Sequence, residues 1–169
     1  DRNRSCTLAD FAILGEIPGI TFYTLQKGPA SSEAANSPER MEIINLEKEL
    51  KDFVDTAAVI ANLDLVISVD TAVVHMAGAM GKPVWNLLSF APSWRWLQNR
   101  DYSPWYPTMR LFRQSHTHVW TQVFQQVKEK LEVETIAKEA VFVSANNICK
   151  EMDATESPLL ASAKAKVVF

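Results

Sequence analysis

The sequence predicts an α/β fold built on a doubly wound parallel sheet. Two observations carry that expectation. Short apolar, β-branched runs alternate with helical patterns at the spacing of βαβ crossovers. The clearest run, Leu65–Val69, has no polar alternation, as expected of a parallel strand covered on both faces. The 169 residues are 47% hydrophobic and 22% charged, enough apolar material for one domain with a real core.

In chain order, Cys6–Glu16 reads as an amphipathic helix capped by Ser5 and ended by Pro18 and Gly19. Ile20–Leu25 reads as a strand. Gln26–Pro38 reads as a polar loop with a mobile Ala30–Ala35 centre, and Met41–Leu46 as a second strand. Asp55 is expected to cap a helix over Thr56–Asn62. After Leu65–Val69 a helix runs through Ala72–Met80 and stops at Gly81, where Pro83 opens the strand Pro83–Leu88. Ser89–Pro107 forms an aromatic loop and Met109–Phe112 a strand. Val119–Leu131 forms a helix with Val119, Val123, Val127 and Leu131 on one face. Residues 1–131 are taken as the domain, and 132–169 as a helical extension or tail.

The net charge is −3 with no Lys/Arg stripe, which argues against a nucleic-acid surface. No apolar run approaches the roughly 20 residues of a transmembrane span, and the charged start DRNRSC does not read as a signal peptide. Cys6 and Cys149, far apart, fit reduced thiols in a cytoplasmic protein. The five glycines form neither a Gly-x-Gly-x-x-Gly nor a Walker loop.

Chemistry is expected where the strand Leu65–Val69 meets its helix. Asp70 and Thr71 are both good N-cap residues, and a helix start at a strand's carboxyl end suits an anion such as a diphosphate. His75 follows Thr71 by one turn on roughly the same face. On spacing alone two readings stand: a ligand site, or a plain cap followed by a satisfied core histidine. Arg2 and Arg4 lie beside a second helix start and could form guanidinium forks or a solvated cluster. Lys27 and Gln26 leave a strand toward the same rim. Asp55 reads first as a cap, with Asp55 and Thr56 also placed to touch a nucleoside. The aromatic loop reads as a packed lid more than a stacking contact. His116 and His118 lack companion ligands, so no metal site is expected.

The order Asp70-Thr-Ala-x-x-His75-x-Ala-Gly-Ala-x-Gly-Lys-Pro83 resembles the nucleotide-sugar signature of glycosyltransferase family 9, the heptosyltransferase-like enzymes. The usual form there is Asp-(Ser/Thr)-Gly-x-x-His-x-Ala-x-Ala-x-x-x-Pro, so Ala72 stands where many members have Gly. Three further blocks extend the resemblance over about residues 1–131: Asp1–Ser5, Tyr23–Gly28 and Phe90–Trp96. It is nearest to bacterial members in which the domain follows tetratricopeptide repeats. The resemblance implies a Rossmann-like domain, the C-terminal half of a two-domain GT-B fold. An apolar strand is then expected just upstream of Asp1, so the chain reads as a fragment.

It further implies a nucleotide-diphosphate-sugar donor as substrate, an inverting, metal-independent transfer and no cofactor. Asp70, Thr71, Ala72, His75, Arg4, Gln26, Lys27, Asp55 and Thr56 would be the donor-binding set. Arg4 and His75 would meet phosphate, and Asp70 would orient the loop. The catalytic base would come from a preceding N-terminal transferase domain, leaving this chain inactive alone. The alternative is a non-catalytic, transferase-like scaffold attached to helical repeats and used for protein contacts.

Overall fold

The computed structural model describes residues 3–151 and 165–168. Six strands form one all-parallel sheet in the order β2-β1-β6-β3-β4-β5. The strands are β1 Ile20–Thr24, β2 Ile43–Asn45, β3 Leu65–Val69, β4 Val84–Leu88, β5 Met109–Arg113 and β6 Ala165–Val168. The helices are α1 Leu8–Phe11, α2 Phe53–Ala61, α3 Ala72–Ala79 and α4 Thr121–Glu151. The α/β doubly wound sheet predicted from the alternating runs, and the Rossmann-like fold that the resemblance implies, are observed.

Period-2 geometry explains why the central strands β3 and β4 are mostly apolar on both faces. In β3, Leu65 and Ile67 join Trp85, Leu87, Phe112, Phe124 and Val127 in one core, beneath α1 and α4. Val66 points the other way, with Val84, Leu88, Val74, Ala77 and Ile60, beneath α2 and α3. The central strands are thus buried against helices on both faces and are mostly apolar, with Asn86 of β4 as a fully buried polar exception, whereas β2 at one edge is largely exposed. β4 is buried at every position.

The sheet's middle is supplied from the far end of the chain. β6 pairs with β1 through Ile20↔Ala165 to Tyr23↔Val168, and with β3 through Leu65↔Val167 and Val66↔Val168. Asp64 adds a lock at the entry of β3: its carboxylate accepts from the Lys166 N–H at 2.7 Å, and its own N–H donates to the Lys166 carbonyl at 2.9 Å. Of residues 132–169, expected as a helical extension or tail, 152–164 and 169 lie outside the described residues, and the described remainder holds a helix and a strand. Helix α4 does continue to Glu151, but 165–168 belong to the same sheet as the rest of the domain.

Several element boundaries differ from the sequence expectation, each for a local reason. Thr7, not Ser5, precedes α1, because the Asp10 carboxylate accepts from both the Thr7 N–H (2.7 Å) and its hydroxyl (2.8 Å). Past Phe11 the helix tightens to 3₁₀ over Ala12–Glu16. Asp52, not Asp55, caps α2, accepting from the Val54 and Asp55 N–H groups. The polar stretch after β1 is folded as 3₁₀ turns over Pro29–Asn36, where Glu47 accepts from the Ser31 hydroxyl and the Gly28 N–H. On α4, Val123, Val127 and Leu131 are buried, whereas Val119 lies before the helix and is exposed. Lys128 of α4 bridges to Glu16 at 2.6 Å, which lowers the Glu16 carboxyl and raises the ammonium.

Among the described residues, no helix is long and apolar enough to cross a membrane.

Candidate functional site

The carboxyl ends of β1 and β3 open into a cleft of about 490 Å³. Thr24 and Gln26 line it from the end of β1, Ser68, Val69 and Thr71 from the end of β3, and Arg4 to Leu8 from the chain's first turn. Glu33 and Ala34 of the 3₁₀ segment close one side. A parallel sheet directs ligands to this edge, because every helix that follows a strand begins there with unpaired N–H groups.

Of the nine residues proposed from sequence, Arg4, Gln26 and Thr71 meet in this cleft. The others have different surroundings. Lys27 leaves the rim, its Nζ donating to the Leu50 carbonyl at 2.5 Å. Asp55 accepts from the Lys51 N–H, and Thr56 is buried one turn into α2 with its hydroxyl on the Asp52 carbonyl. The cause lies in the capping: with Asp52 as the cap, α2 starts three residues earlier than expected, turning Thr56 inward. Ala72 opens α3 at the surface.

Asp70 and Thr71 do not cap α3 with their side chains. Thr71 takes the extended N-cap backbone (φ −135°, ψ 173°), but its hydroxyl is near Ser68 Oγ at 3.4 Å. Asp70 is engaged across the chain, accepting from Trp96 Nε1 at 2.9 Å. His75 is not a core histidine: its side chain is 37% exposed and bounded by the loop between β4 and β5. Its Nδ1 lies 3.0 Å from Tyr106 Oη, its Nε2 lies 3.5 Å from Asp70 Oδ1, and its ring stacks on Trp96 at 5.2 Å. Asp70 and His75 thus face the aromatic loop rather than line the cleft that Thr71 enters.

That loop is held from below. Arg113, at the end of β5, donates to the Trp96 carbonyl (2.7 Å) and the Arg100 carbonyl (3.1 Å). Burial, and then the Arg100 charge, pull its guanidinium below the ordinary value. Trp96 is fully buried in the core over α3, while Phe90, Trp94, Tyr102 and Trp105 remain exposed. The loop is therefore a lid at its centre and an open aromatic surface at its flanks. In the sequence, Trp96 and Tyr106 stand out only as two of the aromatic residues in the Ser89–Pro107 loop. The closest signal was the Phe90–Trp96 block, and no local spacing links it to Asp70, 26 residues away.

Cys6 lines the cleft, and burial, aided by Asp10, pushes its thiol up to about 12. It is therefore a packing residue, since the thiolate is the reactive form. No group of three or more His, Cys, Asp or Glu among the described residues could hold a metal ion.

Comparison with known proteins gives a consistent family. The chain is 36% identical over 118 residues to protein FlbA of Caulobacter vibrioides, a match covering 68% of this chain. It spans only 20% of that relative's length. No solved structure matches the chain significantly. Residues 34–131 match glycosyltransferase family 9 (heptosyltransferase), a stretch that includes β2 to β5 and the Asp70–His75 turn. With more than half of its length in that match, the chain belongs to glycosyltransferase family 9.

Proposed function

We propose that this chain is the donor-binding half of a glycosyltransferase, the C-terminal domain of a two-domain GT-B enzyme that takes a nucleotide-diphosphate sugar. The observation that supports the reading is the cleft at the carboxyl edge of β1 and β3, where Arg4, Gln26 and Thr71 converge in a family 9 member. There the Arg4 guanidinium and the start of α3 would meet the diphosphate and stabilise negative charge as it leaves with the nucleotide. The transfer would be inverting and independent of metal. The acceptor and its base would come from an N-terminal transferase domain, since in-line attack needs both groups held against the donor carbon. The full protein would act in the cytoplasm, with tetratricopeptide repeats as a further partner.

Calorimetric titration with ADP, GDP, UDP and CDP tests the reading. One of the four should bind the chain without turnover of the corresponding sugar nucleotide. Arg4→Ala should weaken it by roughly tenfold, the scale of a hydrogen bond to a charged group. Absence of binding to all four by the folded chain would overturn the proposal.

A second reading is a non-catalytic scaffold. It draws on the exposed flank of the aromatic loop, where Trp94 is 73% accessible and Phe90, Tyr102 and Trp105 are each above half. Under that reading Trp94→Ser would disturb association within the full-length protein, and no nucleotide would bind.

A further inference from the structure

The surroundings of His75 select one arrangement of its protons. A singly protonated imidazole has one N–H and one lone pair, and their placement is set by what each nitrogen faces. Nε2 faces the Asp70 carboxylate at 3.5 Å, a group that accepts only. Nδ1 faces Tyr106 Oη at 3.0 Å, a hydroxyl that can either donate or accept. With the proton on Nδ1, the Nε2 lone pair would oppose the carboxylate. With the proton on Nε2, both contacts are satisfied: Nε2–H points toward Asp70, and the Tyr106 hydroxyl donates to Nδ1.

We propose that Tyr106 is a positioning residue that fixes His75 as its Nε2–H tautomer, so that the ring presents its single proton on the side of Asp70. Beyond its ring contact with His75, Tyr106 is fixed by an independent approach to α3. Its ring crosses His75 edge-on at 5.8 Å between centroids. The same ring also lies over Gly78, where an added Cβ would come within 2.6 Å of its Cγ. Only a residue without a side chain lets Tyr106 approach α3 this closely, one turn beyond His75. Trp96 completes the arrangement, stacking on the imidazole and holding the second oxygen of Asp70 through its indole N–H.

The consequence for binding rests on the donor-site reading above, with a donor that extends out of the cleft past Thr71 to the exposed edge of His75, one turn along α3. At 3.5 Å the Nε2–Asp70 contact is a long one, weaker than a well-formed hydrogen bond. A ligand oxygen that reaches the exposed edge of the imidazole can therefore take the Nε2 proton's attention from Asp70. The Tyr106 bond would keep the ring from flipping or changing tautomer as it does so.

Nitrogen-15 NMR of the whole chain reads the tautomer directly. Only three histidines are present, and His75→Gln assigns the signal. The expected spectrum has a pyridine-like Nδ1 and a pyrrole-like Nε2. Tyr106→Phe should leave the melting temperature nearly unchanged, yet move the Nδ1 resonance and mix the tautomers. In titrations with the nucleoside diphosphate that binds best, Tyr106→Phe should cost about three- to tenfold in affinity. Added to His75→Gln, it should cost nothing more, because its effect acts through that ring. A protonated Nδ1 in the unsubstituted chain, an unmoved His75 signal in Tyr106→Phe, or fully additive losses would each overturn the proposal. If Tyr106→Phe fails to fold, the Nδ1 signal of the unsubstituted chain decides. If no nucleoside diphosphate binds but the His75 signals behave as expected, the donor-site reading fails and the positioning role stands.

Discussion

The indole N–H of Trp96 donates to the carboxylate of Asp70 at 2.9 Å, joining the loop after β4 to the turn after β3. Trp96 is fully buried, so its N–H has no recourse to water if the partner is removed. Asp70→Ala should therefore lower stability by about 1–3 kcal/mol, the cost of an orphaned buried donor. Asp70→Asn should lose much less, since an amide oxygen still accepts. Urea denaturation of the two variants checks the difference, and equal losses would show that the Trp96 contact is not the cause.

Gly78→Ala sets helix propensity against packing. In an exposed helix the change would gain about 1 kcal/mol. Here the new methyl meets the root of the Tyr106 ring at 2.6 Å, an atom too close to the backbone to swing aside. Overpacking of about 1–3 kcal/mol should win, giving a net loss in melting experiments. The variant should also disturb the His75 NMR signals, because it displaces Tyr106.

Deleting residues 165–169 should remove more than a terminus. β1 and β3 would both lose a parallel ladder, and Val167, almost fully buried, would leave an apolar gap at the sheet's middle. Several backbone hydrogen bonds at about 1 kcal/mol each, with the burial of one valine at about 1.5–3 kcal/mol, predict a loss of at least about 3 kcal/mol. Chemical denaturation followed by circular dichroism checks this. An unchanged transition would show that β6 does not hold the centre.

Cys6 should resist alkylation. In a Cys149→Ser background, iodoacetamide at pH 8 should modify Cys6 far more slowly than it modifies the urea-unfolded chain. The thiol is pushed from 9.0 to about 12, chiefly by burial, so the folded chain keeps its proton after the unfolded chain has released it. Its contribution to stability is complete below pH 9 and falls away as pH rises from about 9 to 12. A stability curve measured from pH 8 to 11 on Cys6→Ala and its parent should converge on the alkaline side.

The β3–α3 unit was legible in the sequence because each of its signals is local. A run of buried β-branched residues, a polar turn and a helix stopped at Gly81 (φ 70°) need no knowledge of distant contacts. The alternation of such units likewise determined the parallel α/β class, since strands covered on both faces are predominantly apolar. Capping was less legible. Asp52 and Asp55 are both competent caps, and the choice fell to whichever residue adopted the extended backbone, here Asp52 at φ −141°.

The tertiary structure alone decided two matters. The first is the place of Ala165–Val168: a four-residue segment, Ala-Lys-Val-Val, carries no address, and only the unpaired edges of β1 and β3 select it for the middle of the sheet. The second is the surroundings of His75. Helical spacing put it one turn after Thr71, but its hydrogen-bond partner comes from Tyr106, 31 residues on, brought back over Gly78 by the loop that Arg113 anchors. Sequence periodicity reports the face of an element on which a side chain lies. The group that meets that face depends on how separate elements pack together.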